Sequence, residues 1–432
     1  MIPTSYNKDN LLNTSLDKLI VSISTFTIIY AFFNFGSFGF FNLFGARRIS
    51  QFIVLLFLSF TLFFIFKERY KKKTLLIVLF FFSYYYINFL ISTSNYLVGF
   101  TNIVLSITIF LFLIKIEIEY IKIIAKLIFL ISFIFTTMVL LAYILFFIEP
   151  NLINQVDFEI YTSLITSEQI YPKHWVEYLS FTSGDGFMLF DLVSTRMKGF
   201  SNEPSSSIVH YFSPIALSLL LSKKYRTLGF ISIFINLIAI SSALTWIIIF
   251  LSLLLTLFFK VFCLRNAKRI IYILIFIGIF ILVNFDLAYS IFMKIGTLID
   301  SNLSMDLFAR KIGSLDTRLT SIIDSLVILF NYPFGGNYVG LPIGLVFNVL
   351  LVGGIILFPI VVFVFFKMIN LCLKKYYYLE LRNRRFGISI VLSTIIVLMF
   401  ISGYGWDNSS GLIMLLLYYR LITDLKVKNI RN

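Results

Sequence analysis

Ionisable residues are scarce in this chain: Asp, Glu, Lys and Arg together make up 13% of 432 residues, against 59% hydrophobic. That is too little polar surface to cover a water-soluble globule of this length, so the chain belongs in a bilayer. Cysteine and histidine are scarcer still, at two each. Cys263 and Cys372 lie far apart in sequence, both in stretches assigned below to the cytoplasmic side, which argues against a disulfide or a thiolate zinc site. His174 and His210 have no companion ligands, so no metal is expected. A phosphate-cradling Gly-Lys-Ser/Thr loop is missing, and no cofactor is expected. Asp185, in the turn Gly184-Asp185-Gly186, lacks the further oxygen ligands of a calcium site and reads as an ordinary polar turn. No small-residue cleavage site follows the first apolar run, so Leu19 to Phe35 reads as a retained helix and not a signal peptide.

What is abundant is continuous apolar sequence. Runs fall at about 19–36, 50–66, 74–91, 97–114, 123–148, 207–222, 227–241, 243–259, 270–285, 341–366, 386–402 and 411–422. Their length suits helices crossing hydrocarbon, and the two-residue alternation of a membrane β-barrel is absent. The expected fold is an all-α polytopic membrane protein of about twelve transmembrane helices, a single integral domain over residues 1–432. The stretch from Thr227 to Phe259 is too long for one ordinary crossing and is split at Ser241-Ser242. The 52 Phe and 24 Tyr form no spaced box and read as lipid-facing and interfacial rings.

Charge supports the split. With both termini inside, 27 of the 36 Lys and Arg fall in loops on the cytoplasmic side, the positive-inside asymmetry. The net charge of +15 then reflects topology, and nucleic acid is not an expected partner. Two loops on the outer face are long, 149–206 and 286–340. Loops of that length are usually functional, which directs the search for chemistry to the outer face. No acidic or basic residue falls in the middle third of any expected helix, which argues against ion-coupled transport.

The first long loop ends in Arg196-Met197-Lys198-Gly199-Phe200-Ser201-Asn202-Glu203-Pro204-Ser205. Interfacial anchoring is one reading of these cations; an anion site beside an acid is the other. Pro204 fits the first turn of the sixth helix, where Ser201, Asn202 or Glu203 can cap it. Unpaired N–H groups at that helix start attract an anion, and Arg196 adds a planar fork suited to phosphate. Arg318, in the second long loop, offers another such contact. Two arginines near a helix start suit a diphosphate whose developing charge they would stabilise. Glu203 stands where it can orient or deprotonate an attacking hydroxyl, or serve as a helix cap. The second loop also carries a helical pattern through Leu315, Leu319, Ile322, Ile323, Leu326 and Leu329, closed by Pro333-Phe334-Gly335-Gly336.

The helix count, the outer loop ending Arg196-x-x-Gly199-x-x-x-Glu203-Pro204-Ser205, and the second loop with Arg318 and then Pro333-x-Gly335-Gly336 resemble the O-antigen polymerase (Wzy) and O-antigen ligase superfamily. The likeness covers about Arg196 to Gly354. It implies a metal-independent glycosyltransferase of the bacterial cytoplasmic (inner) membrane, acting at its outer face on undecaprenyl-diphosphate-linked oligosaccharide. Arg196 and Arg318 match positions expected to hold the diphosphate. Glu203, Arg196 and Arg318 are the expected catalytic residues; Arg196, Lys198, Gly199, Asn202, Arg318, Gly335 and Gly336 form the expected substrate-binding set. Implied partners are the lipid-linked oligosaccharide, membrane lipid, and a chain-length regulator and flippase of the same pathway.

The sequence also departs from the family. Ligases of this superfamily typically carry a functional histidine in the second large loop, and Asp286 to Phe347 has none, which favours a polymerase of O-antigen or capsule. Many relatives have a Ser-Arg pair at the short turn where this chain has Ser241-Ser242, so a third arginine contact is not carried over. A ligase and a non-enzymatic lipid-oligosaccharide flippase remain the alternatives.

Overall fold

The computed structural model describes residues 15–34, 61, 72–93, 96–148, 155–156, 181–182, 196–197, 210–240, 243–267, 269–270, 272–273, 327–336, 345–378, 384–400 and 409–425. In chain order the first helices are α1 (Ser15–Asn34), α2 (Lys72–Thr93), α3 (Tyr96–Lys115) and α4 (Ile118–Ile148). Three two-residue strands follow, β1 (Gln155–Val156), β2 (Phe181–Thr182) and β3 (Arg196–Met197). Then come α5 (Ser213–Leu220), α6 (Lys223–Ile235) with a π-helical turn Asn236–Ile240, α7 (Ala243–Val261), α8 (Leu345–Tyr378), α9 (Arg385–Phe400) and α10 (Ser409–Asp424).

The class is helical, as the apolar runs lead one to expect. Two helical stretches, Ile118–Leu145 and Val349–Tyr378, are long and apolar enough to cross a membrane, and five shorter apolar helices accompany them. The expected runs at 50–66 and 270–285 lie almost wholly outside the described residues. Helix α6 with its π-turn runs to Ile240 and α7 runs from Ala243; Ser241-Ser242, where the split is expected, lies outside the described residues.

Two details differ from expectation. The chain is not purely helical: within the first long loop β2 pairs with β1 in parallel and with β3 antiparallel. The expected helix over 207–222 is also shorter. Residues 210–212 form a turn and α5 starts at Ser213, with Pro214 in its first turn; the helix start expected at Pro204 lies outside the described residues. Pro214 suits that place because the first-turn N–H groups have no intrahelical partner to lose.

The core is built around α5 and α10. All eight residues of α5 are buried, which explains why this short apolar segment holds as a helix: neighbours on every side replace the stability its length lacks. It packs against α4, α6, α9 and α10, and α10 in turn touches α1, α3, α4 and α8. Outward-facing Leu76, Phe80, Phe234, Phe250 and Phe363 are exposed. An apolar exterior around an apolar core is the pattern of helices solvated by lipid. Hydroxyls on these helices are met locally, as where Thr136 donates to the Ser132 carbonyl (2.7 Å) and Thr108 to that of Val104 (2.7 Å).

Candidate functional site

Helix α8 is broken. At Gly354 the backbone takes φ 56° and ψ −157°, far from helical values, within an apolar stretch of membrane-crossing length. An unbroken helix would carry bonds from the Ile355 N–H to the Leu351 carbonyl and from the Ile356 N–H to the Val352 carbonyl. The end of the second long loop takes their place. The Ile355 N–H donates to the Pro333 carbonyl (2.9 Å), and the Gly336 N–H donates to the Val352 carbonyl (3.1 Å). Such interrupted backbone persists at membrane depth only where other protein satisfies it.

The residues 333–336 fit this task by chemistry. Residues 327–331 are helical, and the Gly335 N–H then donates to the Tyr332 carbonyl (2.9 Å), closing a turn with Pro333 and Phe334 at its centre. Proline favours the second position of such a turn and glycine the fourth. Gly335 and Gly354 both have positive φ, and a Cβ on either would stand 2.1 Å from the Val352 carbonyl oxygen or 2.3 Å from that of Pro333. Two backbones can approach this closely only without side chains between them. Helix α2 completes the clasp: the Tyr84 hydroxyl (2.8 Å) and the Asn88 amide nitrogen (3.2 Å) both donate to the Phe334 carbonyl.

An apolar cavity of about 280 Å³ adjoins the same two helices. Its wall includes Val78, Phe81 and Tyr85 from α2, and Val349, Val361 and Phe365 from either side of the break in α8. The hydroxyl of Tyr86 is satisfied by Ser106 (2.9 Å), so the wall presents little polarity. Its chemistry suits hydrocarbon, with the polar backbone of the clasp on the helices that form it.

A second polar node precedes α5. His210 is buried, its Nε2 at 3.0 Å from the Phe32 carbonyl, which also accepts the Ser410 hydroxyl (2.9 Å). The Ser132 hydroxyl donates to the His210 carbonyl (2.7 Å) and the Tyr418 hydroxyl to that of Ser213 (2.7 Å). Three helices, α1, α4 and α10, therefore fix the point at which the chain, having left the Arg196 to Ser205 stretch, enters the core. The histidine is a structural tie, as expected of one without companion ligands.

Of the expected site residues, Gly335 and Gly336 are described, and they form the clasp. The backbone of Arg196 lies in β3, paired with Thr182 and packed near the π-helical turn Asn236–Ile240. That turn ends beside Ser241-Ser242, the position compared above with the family's Ser-Arg pair. Lys198, Gly199, Asn202, Glu203, Pro204 and Arg318 lie outside the described residues, as do Asp185 and His174. Among the described residues no three His, Cys, Asp or Glu side chains gather to hold a metal, and Cys263 and Cys372 are free.

Sequence reasoning missed Tyr84, Asn88 and the break at Gly354. A signal for the break was present, because Gly335-Gly336 and Gly353-Gly354 are the chain's two Gly-Gly pairs, and they prove to be the two sides of one contact. Compared with protein families, curated proteins and solved structures, the chain matches none.

Proposed function

We propose that this chain is a polysaccharide polymerase of the cytoplasmic membrane with both termini inside, twelve spans, and its chemistry at the outer face. It transfers an undecaprenyl-diphosphate-linked glycan from its lipid carrier onto the sugar of a new lipid-linked repeat unit. Arg196 and Arg318 hold the diphosphate and stabilise the charge that develops as it leaves, and Glu203 orients or deprotonates the attacking hydroxyl. Lys198, Gly199 and Asn202 complete the pocket, with Gly335 and Gly336 anchoring the loop that carries Arg318.

The observation that carries this reading is the backbone clasp between Pro333–Gly336 and the break at Gly354. It ties the end of a long polar loop to the interior of an apolar helix. A reaction on a lipid-linked sugar needs that juxtaposition, since the polar head must meet a fixed loop while the tail stays in hydrocarbon. The cavity on α2 and α8 suits such a tail. A flippase is the second reading, and one feature favours it: broken membrane helices often line the substrate path of transporters.

The sugars made by a strain lacking the protein separate these readings. Loss of a polymerase leaves acceptors capped by a single repeat unit, with no ladder above it. Bare acceptor with long chains accumulating on the lipid diphosphate would mean a ligase instead. Single lipid-linked units trapped on the cytoplasmic side would mean a flippase and sink the enzyme reading.

A further inference from the structure

At the other end of α8, about 30 Å along its axis from Gly354 at 1.5 Å per residue, cations from several helices crowd together. Lys122 of α4 bridges Glu119 (3.0 Å) and Asp424 of α10 (3.2 Å). Lys375 of α8 donates to the carbonyls of Thr423 (2.8 Å) and Leu425 (2.6 Å), on either side of Asp424. Arg226 stands in the first turns of α6, and Arg385 opens α9 with Arg384 directly before it. The last three are brought together by stacking of Phe230 on Phe386, with centroids 5.9 Å apart and planes 13° from parallel. Arg385 also lies over the Tyr376 ring, 5.8 Å from its centroid.

This group is under-compensated. Among the described residues, the Nε atoms of Arg226, Arg384 and Arg385 are all buried without a hydrogen-bond partner. Burial first, and then the positive charge of Arg226, push Arg384 below the usual guanidinium range, with Asp424 opposing. Asp424 already serves Lys122. Buried donors without acceptors are costly, and like charges gathered at one place add to the cost, so the arrangement calls for an anion. The charge asymmetry that orients a membrane protein asks only for cations on one side. It does not ask for three part-buried arginines whose Nε atoms are shielded from solvent.

The surface beside the cluster indicates what kind of anion. Phe230 and Phe234 follow Arg226 at four-residue steps along α6, on one face of the helix, and are 49% and 65% exposed. A cation group at the helix start with an apolar strip leading away from it matches a charged headgroup with a hydrocarbon chain. Arginine's planar fork suits phosphate oxygens in particular. We propose that Arg226, Arg384 and Arg385 bind the phosphate of an anionic glycerophospholipid, one acyl chain of which lies along Phe230 and Phe234. This requires that the chain lie in a membrane and is independent of the reaction proposed above.

The full-length protein, stripped of lipid in a neutral detergent, is the material for the test. Phosphatidylglycerol, phosphatidylcholine and inorganic phosphate are added in turn, with retention read by native mass spectrometry and stability by thermal unfolding. Phosphatidylglycerol should be retained and should raise the unfolding temperature, while the other two do neither. Arg226→Gln and Arg384→Gln should each weaken its binding about tenfold or more, and Lys18→Gln, an exposed cation on α1, should leave it unchanged. Phe234→Ser alters only an exposed ring and serves as the comparison if an arginine variant fails to fold; it should weaken phosphatidylglycerol binding. Equal retention of phosphatidylcholine, or undiminished binding in the arginine and Phe234 variants, overturns the proposal. Stabilisation by inorganic phosphate equal to that by phosphatidylglycerol overturns the lipid assignment and leaves a free-anion site.

Discussion

Gly335 approaches Val352 so closely that a Cβ on the glycine would stand 2.1 Å from the Val352 carbonyl oxygen. The contact joins a polar loop to the point where a membrane-length helix loses its own hydrogen bonds, and each side supplies what the other lacks. Gly336 gives an N–H to Val352, and Ile355 gives one to Pro333. The loop's end is therefore fixed by backbone geometry, and substitutions there should act through sterics more than through lost side-chain chemistry.

The three glycines should rank accordingly. Gly335→Ala and Gly354→Ala combine positive φ with a backbone collision, whereas a Cβ on Gly336 would meet open space and suffer only from its φ of +95°. The left-handed conformation alone costs about 1–2 kcal/mol for a residue with a side chain. The two colliding variants should cost more, because neighbouring backbone must move. Thermal unfolding of the purified variants should give Gly336→Ala the smallest loss of the three. Equal losses at all three positions would contradict the clasp geometry.

Tyr84 and Asn88 donate to the same Phe334 carbonyl, so their effects should not add. Tyr84→Phe removes one hydroxyl while keeping the ring that stacks on Phe80 at 5.7 Å. A lost bond of this kind costs about 0.5–1.5 kcal/mol. Hydrogen exchange at the Gly335 and Gly336 amides should speed up in Tyr84→Phe, and pairing it with Asn88→Ala should accelerate exchange by more or less than the product of the single effects. Unchanged exchange in the double variant would mean that α2 does not hold the loop.

Apolar runs made the helices legible because hydrophobicity is a local property that survives without knowledge of neighbours. The division of the stretch after Thr227 rests on length and is supported by charge, and Ser241-Ser242 itself lies outside the described residues. What depended on distant partners was not legible. The start of α5 at Ser213 follows from the ties on His210 and Ser213 by Phe32, Ser132 and Tyr418, residues remote in sequence. The strand pairing of Arg196 with Thr182 also needs a partner that hydropathy does not reveal. Gly335 and Gly336 were named as site residues from pattern, but their role as one half of a contact emerged only when Gly354 was seen to break α8. The remainder of the expected site, including Glu203 and Arg318, falls outside the described residues.

Orientation has a direct chemical test, prompted by the placement of 27 of 36 basic residues in the loops assigned to the cytoplasm. Cysteines introduced at Ser183 and Asn302, one in each long loop, should react with a membrane-impermeant thiol reagent added to spheroplasts. The native cysteines should not, since Cys263 falls in a loop assigned to the opposite side and Cys372 is buried. Reaction at Ser183 and Asn302 only after the membrane is opened would invert the topology and remove the outer-face site.

Glu203 stands directly before Pro204, and its two roles separate by substitution. Asparagine caps a helix as well as a carboxylate does but has no basic oxygen at neutral pH, so Glu203→Asn should preserve protein level and stability in either case. If the carboxylate takes the proton of an attacking hydroxyl, polymer should fall by about 100-fold or more, the usual contribution of a positioned general base. Arg196 provides the companion measurement. A planar fork on a diphosphate predicts that Arg196→Ala loses roughly ten- to 150-fold, the equivalent of one charge-assisted contact of about 1.5–3 kcal/mol. Arg196→Lys, which keeps the charge but not the fork, should recover only part of that loss. Polymer length and amount, read from strains with equal protein levels, decide both. Full polymer from Glu203→Asn with little from Arg196→Ala would leave a reaction driven by stabilising the departing diphosphate, with Glu203 reduced to orienting the chain; full polymer from both would move the chemistry away from this stretch altogether.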